Sequence, residues 1–482
     1  MNPLHLRVAV CLSLVAAAGF SSIAAEQPNF IFINIDDLGY ADIAPFGSKS
    51  NRTPHLDRMA GEGRKLTCFY GAPVCSPSRA SLMTGCYPKR VGIPNVLFPG
   101  NAVGINASEH TLPELLKERG YITALVGKWH LGDQPEFLPT RHGFDQYFGL
   151  PYSNDMGPVG EGARSNLGEK LPSLEELRKS KPNFRDHPPL PLLRNEKVVE
   201  RVRGEQQTTL VARYTDEAVA FIRSNREKAF FLYLAHTAVH WPLHPGKAFQ
   251  GRSVNGIYGD WIEEVDWSVG QVLETVRDLK LSERTLVIFT SDNGGTPRAV
   301  NAPLRGFKAS TWEGGMREPT IAWWPGKIPA GTATDEIASM MDILPTFVKL
   351  AGGNVPSDRK LDGHDIWPLM SDQPGARSAY AMFCYFRGER IEAVRSGDWK
   401  LQLTSGQLFN LKEDIGESTD RAAKNPEIVM RLEALAQTAR ADLGDGKPGP
   451  GCRLPGRVED GRPIIDHEGN VRAEYRGPER LK

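Results

Sequence analysis

Five short apolar runs punctuate the first three-quarters of the chain, and polar residues stand just beyond four of them. Asn29–Ile35 (NFIFINI) runs into Asp36-Asp37, and Tyr121–Val126 (YITALV) into Gly127-Lys128. Phe230–Ala235 (FFLYLA) ends at His236, Thr285–Thr290 (TLVIFT) ends just before Asp292-Asn293, and Thr320–Trp324 (TIAWW) closes the set. Continuous runs rich in β-branched and aromatic residues predict strands covered on both faces. Helical patterns lie between them. Thr111-Leu-Pro-Glu114 has the layout of a capping box ahead of LLKERG. Gln206–Arg223 sets Leu210, Tyr214, Ala218, Phe221 and Ile222 near one face, and Trp261–Leu279 does the same with Val265, Val269, Val272, Val276 and Leu279. Strands alternating with helices predict an α/β fold, a mainly parallel sheet sandwiched by helices. Ligands of such sheets bind beyond the carboxyl ends of the strands. The polar residues of four distant segments are therefore predicted to meet in one crevice.

The pattern changes at both ends and once in the middle. Residues 1–25 read as a signal peptide: Arg7 precedes an apolar stretch, Val8–Phe20, and small residues follow from Ser22 to Ala25. That stretch falls short of the ~20 residues of a membrane span, so the expectation is cleavage and export with no membrane span in the mature chain. Residues 26–357 form the predicted main domain, and 155–205, rich in Gly, Pro and charge, read as an insertion or lid beside the crevice. Residues 358–482 are expected to form a smaller α+β domain. There Ile391–Leu403 and Gly406–Leu411 predict an antiparallel sheet, followed by a helix near Ile428–Arg440 and an extended tail from Gly446.

Composition narrows the function classes. The 482 residues carry 58 Lys+Arg and 58 Asp+Glu, so no basic excess exists to hold a nucleic-acid backbone. Of six cysteines, Cys11 leaves with the signal peptide; if Cys75 is chemically special, Cys68, Cys86, Cys384 and Cys452 allow three disulfide pairings. Asp36, Asp37 and Asp292 with Asn293 supply carboxylate and amide oxygens without Cys or His, a set suited to a hard cation, Ca²⁺ or Mg²⁺. Each pair taken singly also fits a turn or a helix cap. In Cys75-Ser-Pro-Ser-Arg79-Ala-Ser-Leu-Met-Thr84-Gly85, Pro77 fits the first turn of a helix. Cys75 would then sit at an N-terminus whose free N–H groups favour a negative atom.

With these residues in hand, the sequence resembles the type I, formylglycine-dependent sulfatases of the alkaline phosphatase superfamily. The C-S-P-S-R…T-G run matches their signature for converting cysteine to Cα-formylglycine. The similarity extends to N-I-D-D-L-G-Y (34–40), G-K-W-H-L-G (127–132), T-S-D-N-G (290–294) and W-E-G-G-M-R-E-P (312–319). Pro151-Tyr-Ser-Asn-Asp155 and P-L-P-L-L (189–193) make it similar to the arylsulfatase A group in particular. The resemblance implies an alkaline-phosphatase-like fold and a sulfuric ester hydrolase, with 26–357 as its catalytic domain. It implies one divalent cation, Ca²⁺ ahead of Mg²⁺, on Asp36, Asp37, Asp292 and Asn293, with modified Cys75 as a further ligand. Modified Cys75 would be the nucleophile, its hydrate held by Arg79. Lys128 and Lys308 would contact sulfate oxygens, and His130 would be the base that collapses the sulfated hydrate. His240 would contact sulfate and the leaving oxygen, with Ser153 hydrogen-bonding near the nucleophile. His236 and His244 compete with His240 for that role. Implied partners are a sulfated small molecule or glycan and a formylglycine-generating enzyme. The implied location is secreted or periplasmic, lysosomal in a eukaryote. The competing expectations are a phosphonate or phosphate monoesterase, and a non-catalytic glycan-binding protein on the same scaffold.

Overall fold

The computed structural model describes residues 27–477, so the signal-peptide reading of 1–25 lies outside the described residues. Five parallel strands form the centre, in the order Thr285–Ser291, Asn29–Ile35, Phe230–Ala235, Ile122–Gly127 and Gln146–Gly149. Every residue of Asn29–Ile35 is buried, and the two-residue period of the strand sorts its side chains. Ile31, Ile33 and Ile35 pack with Tyr214, Phe221, Val265 and Val269 from the helices Leu210–Ser224 and Gly256–Asp278. Phe30 and Phe32 face the other way, into a cluster with Leu116 of Leu112–Lys117 and Phe347 of Ile343–Leu350. Covering both faces explains why the strands carry no polar alternation. The capping box forms at Thr111 and Glu114.

The flanks of the sheet depart from the sequence reading. Arg317–Trp323 is antiparallel to Thr285–Ser291, and Arg64–Tyr70 is antiparallel to Arg317–Trp323. Two reversals restore direction, so Arg64–Tyr70 points its carboxyl end to the same edge as the central strands. On the opposite flank Leu190–Arg194 and Lys197–Val202 make a hairpin onto Gln146–Gly149. The later part of the segment read as an insertion is thus built into the main sheet. Pro191 is tolerated there because the pairing with Gln146–Gly149 reaches only Leu193 and Arg194. Among the described residues no helix is long and apolar enough to cross a membrane. Cys68, Cys75, Cys86, Cys384 and Cys452 are all free thiols, so none of the possible pairings is formed.

The C-terminal part carries a four-stranded antiparallel sheet, Phe383–Arg387, Arg390–Ser396, Trp399–Gln402 and Leu408–Asn410, with the helix Pro426–Leu443 against it. A buried polar knot ties this sheet to the main one. Lys400 Nζ contacts Glu313 Oε1 at 2.9 Å, Glu417 Oε1 at 2.8 Å and the Thr311 carbonyl at 2.8 Å. Tyr70 and Tyr385 donate their hydroxyls to Glu313 at 2.6 and 2.9 Å. Lys400→Ala leaves buried Glu417 without its cation and Glu313 with only Arg317 Nη1, at 3.4 Å. The expected cost is about 3–5 kcal/mol of stability, read from urea unfolding, because an uncompensated buried charge is costly.

Candidate active site

The site assembles where the parallel strands end. Asp36 and Asp37 follow Asn29–Ile35, Lys128 and His130 follow Ile122–Gly127, His240 follows Phe230–Ala235, and Asp292-Asn293 follow Thr285–Ser291. The helix Cys75–Thr84 begins beyond Arg64–Tyr70, with all of its residues buried and Gly85 closing it at φ 66°. Ser78 Oγ accepts from Ala72 N (3.2 Å) and Ser76 Oγ from Leu97 N (3.1 Å), so both serines of the motif anchor neighbouring loops. Two site residues have a left-handed backbone. Asp37 and His130 hold φ of 62° and 67°, left-handed values that non-glycine residues keep only where the surroundings enforce them. Gly127, with φ 114°, has no room for a Cβ, which would lie 1.8 Å from the Ala235 carbonyl oxygen. That close approach sets where Lys128 leaves the sheet.

The side chains form three carboxylate–cation pairs. Lys128 Nζ binds Asp36 Oδ2, Lys308 Nζ lies 2.6 Å from Asp37 Oδ1, and Arg79 donates to Asp292 Oδ2 through Nε (3.0 Å) and Nη2 (2.8 Å). Burial disfavours the Asp36 carboxylate, but Lys128, His240, Arg79 and Lys308 together outweigh it and hold the carboxyl below its usual range. Burial first, then the Asp36 carboxylate, push Asp292 up to about 6. Ser153 links the other groups: Lys128 Nζ donates to its Oγ at 3.2 Å, and that oxygen lies 3.3 Å from His240 Nδ1. His240 Nε2 faces Asp37 Oδ2 at 3.7 Å.

Cys75 Sγ sits among these groups, 3.5 Å from Asp36 Oδ1 and 3.6 Å from Lys308 Nζ. Burial first, then Asp36, push its thiol up to about 12. These surroundings disfavour the thiolate, the reactive form of a cysteine. Burial, then Lys128 and Arg79, hold the His130 imidazole well below its usual range. Its Nε2 bonds the Leu97 carbonyl at 2.9 Å, which requires the proton on that nitrogen, and Nδ1 is buried with no partner.

Ligand atoms of Asp36, Asp37, Cys75 and His240 lie within 4.8 Å of one another. Asp292 Oδ1 and Asn293 Oδ1 are both buried with no partner, while Asn293 Nδ2 donates to Asp37 Oδ1 at 2.8 Å. These two orphaned oxygen acceptors, beside the carboxylates of Asp36 and Asp37, fit a hard divalent cation.

The crevice therefore gathers Asp36, Asp37, Cys75, Arg79, Lys128, Ser153, His240, Asp292, Asn293 and Lys308. The Arg79 hydrogen bonds go to Asp292, Asp36, the Lys128 carbonyl (2.7 Å) and Tyr233 Oη (3.4 Å), not to Cys75, so its guanidinium braces the carboxylates. Of the competing histidines, His236 is buried, bonds Ser268 Oγ at 3.0 Å, and is pushed down to about 3 by burial. It belongs to the packing of Gly256–Asp278. Burial likewise pushes His244 down to about 4. Sequence reasoning missed Tyr233, because its hydroxyl hides in an apolar strand. It also missed Asn154, whose Nδ2 holds the His240 carbonyl at 3.3 Å; its place beside Ser153 was the available signal. Glu318 was missed too. It is buried with both oxygens unpartnered, and burial, then Asp292 and Asp37, raise it well above the usual carboxyl range.

Comparison with known proteins adds an independent line. A family model described as Sulfatase matches residues 28–353. N-acetylgalactosamine-6-sulfatase of Canis lupus familiaris is 41% identical over 409 residues, covering 81% of this chain and 74% of that protein. Arylsulfatase A of Bos taurus is 40% identical over 474 residues, covering 88% and 89%. The crystal structure of Ps i-CgsB in complex with k-i-k-neocarrahexaose superposes with TM-score 0.74 at 31% identity, covering 86% of this chain and 92% of that one.

Proposed function

Because the chain belongs to the sulfatase family and is thereby a sulfuric ester hydrolase, we propose that it is an exported enzyme acting through residue 75 as formylglycine. Its substrates on this reading are sulfated sugars or glycans, with small aryl sulfates turned over in vitro. The observation that carries the reading is the position of Cys75. Its sulfur lies within 3.6 Å of a lysine and a carboxylate, at the centre of the anion site. As formylglycine, residue 75 would supply a hydrate with one hydroxyl to displace the ester oxygen from sulfur and a second to expel sulfate.

The remaining residues prepare that chemistry. Asp36, Asp37, Asp292 and Asn293 would hold one Ca²⁺ or Mg²⁺, which when bound supplies Lewis-acid polarisation of a sulfate oxygen. Three carboxylates against three side-chain cations leave the site near neutrality, so a dication turns it into an anion trap. Lys128, Lys308 and His240 would face the sulfate. Ser153, between Lys128 and His240, fixes both. His130 offers a neutral Nδ1 lone pair, the state a general base needs. The relatives favour neither a phosphate or phosphonate esterase nor a non-catalytic scaffold protein.

Peptide mass spectrometry of the purified protein tests the modification. The residue 75 peptide is expected ~18 Da lighter than its thiol form, for sulfur lost, oxygen gained and two hydrogens fewer. An intact thiol in protein that hydrolyses 4-nitrophenyl sulfate would sink the proposal. Lys308→Ala is expected to lower kcat for that ester by about 10²–10³-fold, the usual effect of removing one donor from developing negative charge.

A further inference from the structure

His130, the proposed base, is held by backbone rather than by a side chain. Its Nε2 donates to the Leu97 carbonyl at 2.9 Å. Leu97 opens onto the turn Phe98-Pro99-Gly100-Asn101, closed by Asn101 N to the Phe98 carbonyl at 3.1 Å. Proline second and a glycine at φ 75° third suit a type II turn, which needs a left-handed residue at that place. Leu97 N donates to Ser76 Oγ at 3.1 Å, on the helix that begins with Cys75. The turn is thereby tied both to the helix of residue 75 and to His130.

Asp133 holds the other end of this turn. Its Oδ2 accepts from Gly100 N at 2.7 Å and its Oδ1 from Gln134 Nε2 at 2.9 Å. The residue is buried. Two bonds therefore lace the segments together, His130 to Leu97 and Asp133 to Gly100, each end three residues from the next. The C-terminal segment backs them. Tyr475 Oη donates to the Asp133 carbonyl at 2.7 Å, and Gln134 Nε2 donates to the Arg462 carbonyl at 2.9 Å. That segment also presses on the turn: a Cβ on Gly100 would lie 2.9 Å from Pro463 N, and one on Gly461 would lie 2.5 Å from the Gly100 carbonyl oxygen. Ile464, Ile465, Val471 and Tyr475 are buried in the same core cluster as Leu97 and Trp129. The far end of the expected extended tail is thus anchored in the core.

Burying a carboxyl group is costly, and this one is used to hold a backbone N–H in place. The Leu97 carbonyl keeps the proton on His130 Nε2 and leaves the lone pair on Nδ1. If the turn slips, that tautomer and ring plane are no longer enforced. Nδ1 then fails to take the proton of the second hydroxyl of the sulfated hydrate. In that step the O–H electron pair forms the aldehyde C=O, the bond from carbon to the sulfate oxygen breaks, and sulfate leaves with its electron pair. On this reading His130 has no part in the earlier step, in which the alcohol leaves sulfur. A misplacement of about 1 Å, even from a residue outside the chemistry, can cost ~10²-fold.

We propose that Asp133 is a positioning residue for His130, acting through the Gly100 turn and braced by Tyr475. The proposal rests on the formylglycine reading, with His130 as the base that collapses the sulfated hydrate. Its test follows 4-nitrophenyl sulfate turnover by wild type, Asp133→Ala and Asp133→Asn, with peptide mass spectrometry of residue 75 in samples quenched during the steady state. In Asp133→Ala, kcat is expected to fall about 10²-fold and KM with it, leaving kcat/KM nearly unchanged, while sulfated residue 75 accumulates above the wild-type level. Slowing only the second of two steps has that signature. Asp133→Asn keeps an oxygen for Gly100 N but turns an N–H toward Gln134 Nε2, so the same signature is expected at about a tenfold loss. This variant decides the matter if Asp133→Ala does not fold. A fall in kcat with KM unchanged and no adduct would show a structural role and overturn the proposal, as would unaltered kinetics in a folded variant. His130→Ala separates the proposal from the reading beneath it. An adduct there and none in the Asp133 variants overturns the positioning role alone. No adduct in His130→Ala brings down the reading of His130 as the base, and the proposal with it.

Discussion

Cys75→Ala is expected to lower kcat for 4-nitrophenyl sulfate by about 10⁴-fold or more, the scale seen when a covalent nucleophile is removed. Cys75→Ser is expected to be equally inactive when made in a host that converts only cysteine. The serine result separates two chemistries. If residue 75 acted as an ordinary side-chain nucleophile, a hydroxyl between Lys308 and Asp36 would keep measurable turnover. If it acts as a hydrate, serine lacks the second hydroxyl. Undiminished turnover in the alanine variant would refute the assignment of the nucleophile. Both variants should remain folded, since Cys75 contributes only long contacts of 3.5 and 3.6 Å to its neighbours.

Chelation should have the second largest effect. Prolonged dialysis against EDTA is expected to remove activity, and Ca²⁺ or Mg²⁺ to restore it. The same titration has a readout independent of turnover. A ligand that binds only the folded state stabilises it, by about 2.7 kcal/mol at a hundredfold excess over Kd. The melting midpoint of the stripped protein should therefore rise with added Ca²⁺. In Asp292→Asn this rise should shrink or vanish, because one of the three carboxylates has lost its charge while its shape is kept. A stripped wild-type protein that gains neither stability nor turnover from either ion would remove the cation from the mechanism.

The centre of the fold was legible because its strands are covered on both faces. Asn29–Ile35 and Phe230–Ala235 begin and end where their apolar runs do. The flanks were harder to read. Arg64–Tyr70 (RKLTCFY) opens with two charges and a partly covered face, so it lacks a continuous apolar signal. Leu190–Arg194 contains a proline, which reads as loop until one sees that its pairing partner stops short of it. At the site, the polar residues after the strand ends were legible because the topology of a parallel sheet brings such residues together. The partners of Arg79 were not. No spacing rule says that a guanidinium two residues after Pro77 will brace Asp292 and Asp36, since that follows from how the helix Cys75–Thr84 is set against the sheet.

The burial of Cys75 has a consequence for biosynthesis. Its side chain lies at the start of a helix whose residues are all buried, so on the formylglycine reading an enzyme that must grip the surrounding motif would have access only before the polypeptide closes. On that reading conversion and folding would compete, and the competition would have no second round: a copy that closed early would keep its sulfur and stay silent for its lifetime. Specific activity of a preparation would then report the outcome of that race, and slowing synthesis or supplying more of the maturation enzyme should raise it without altering a contact elsewhere in the finished molecule.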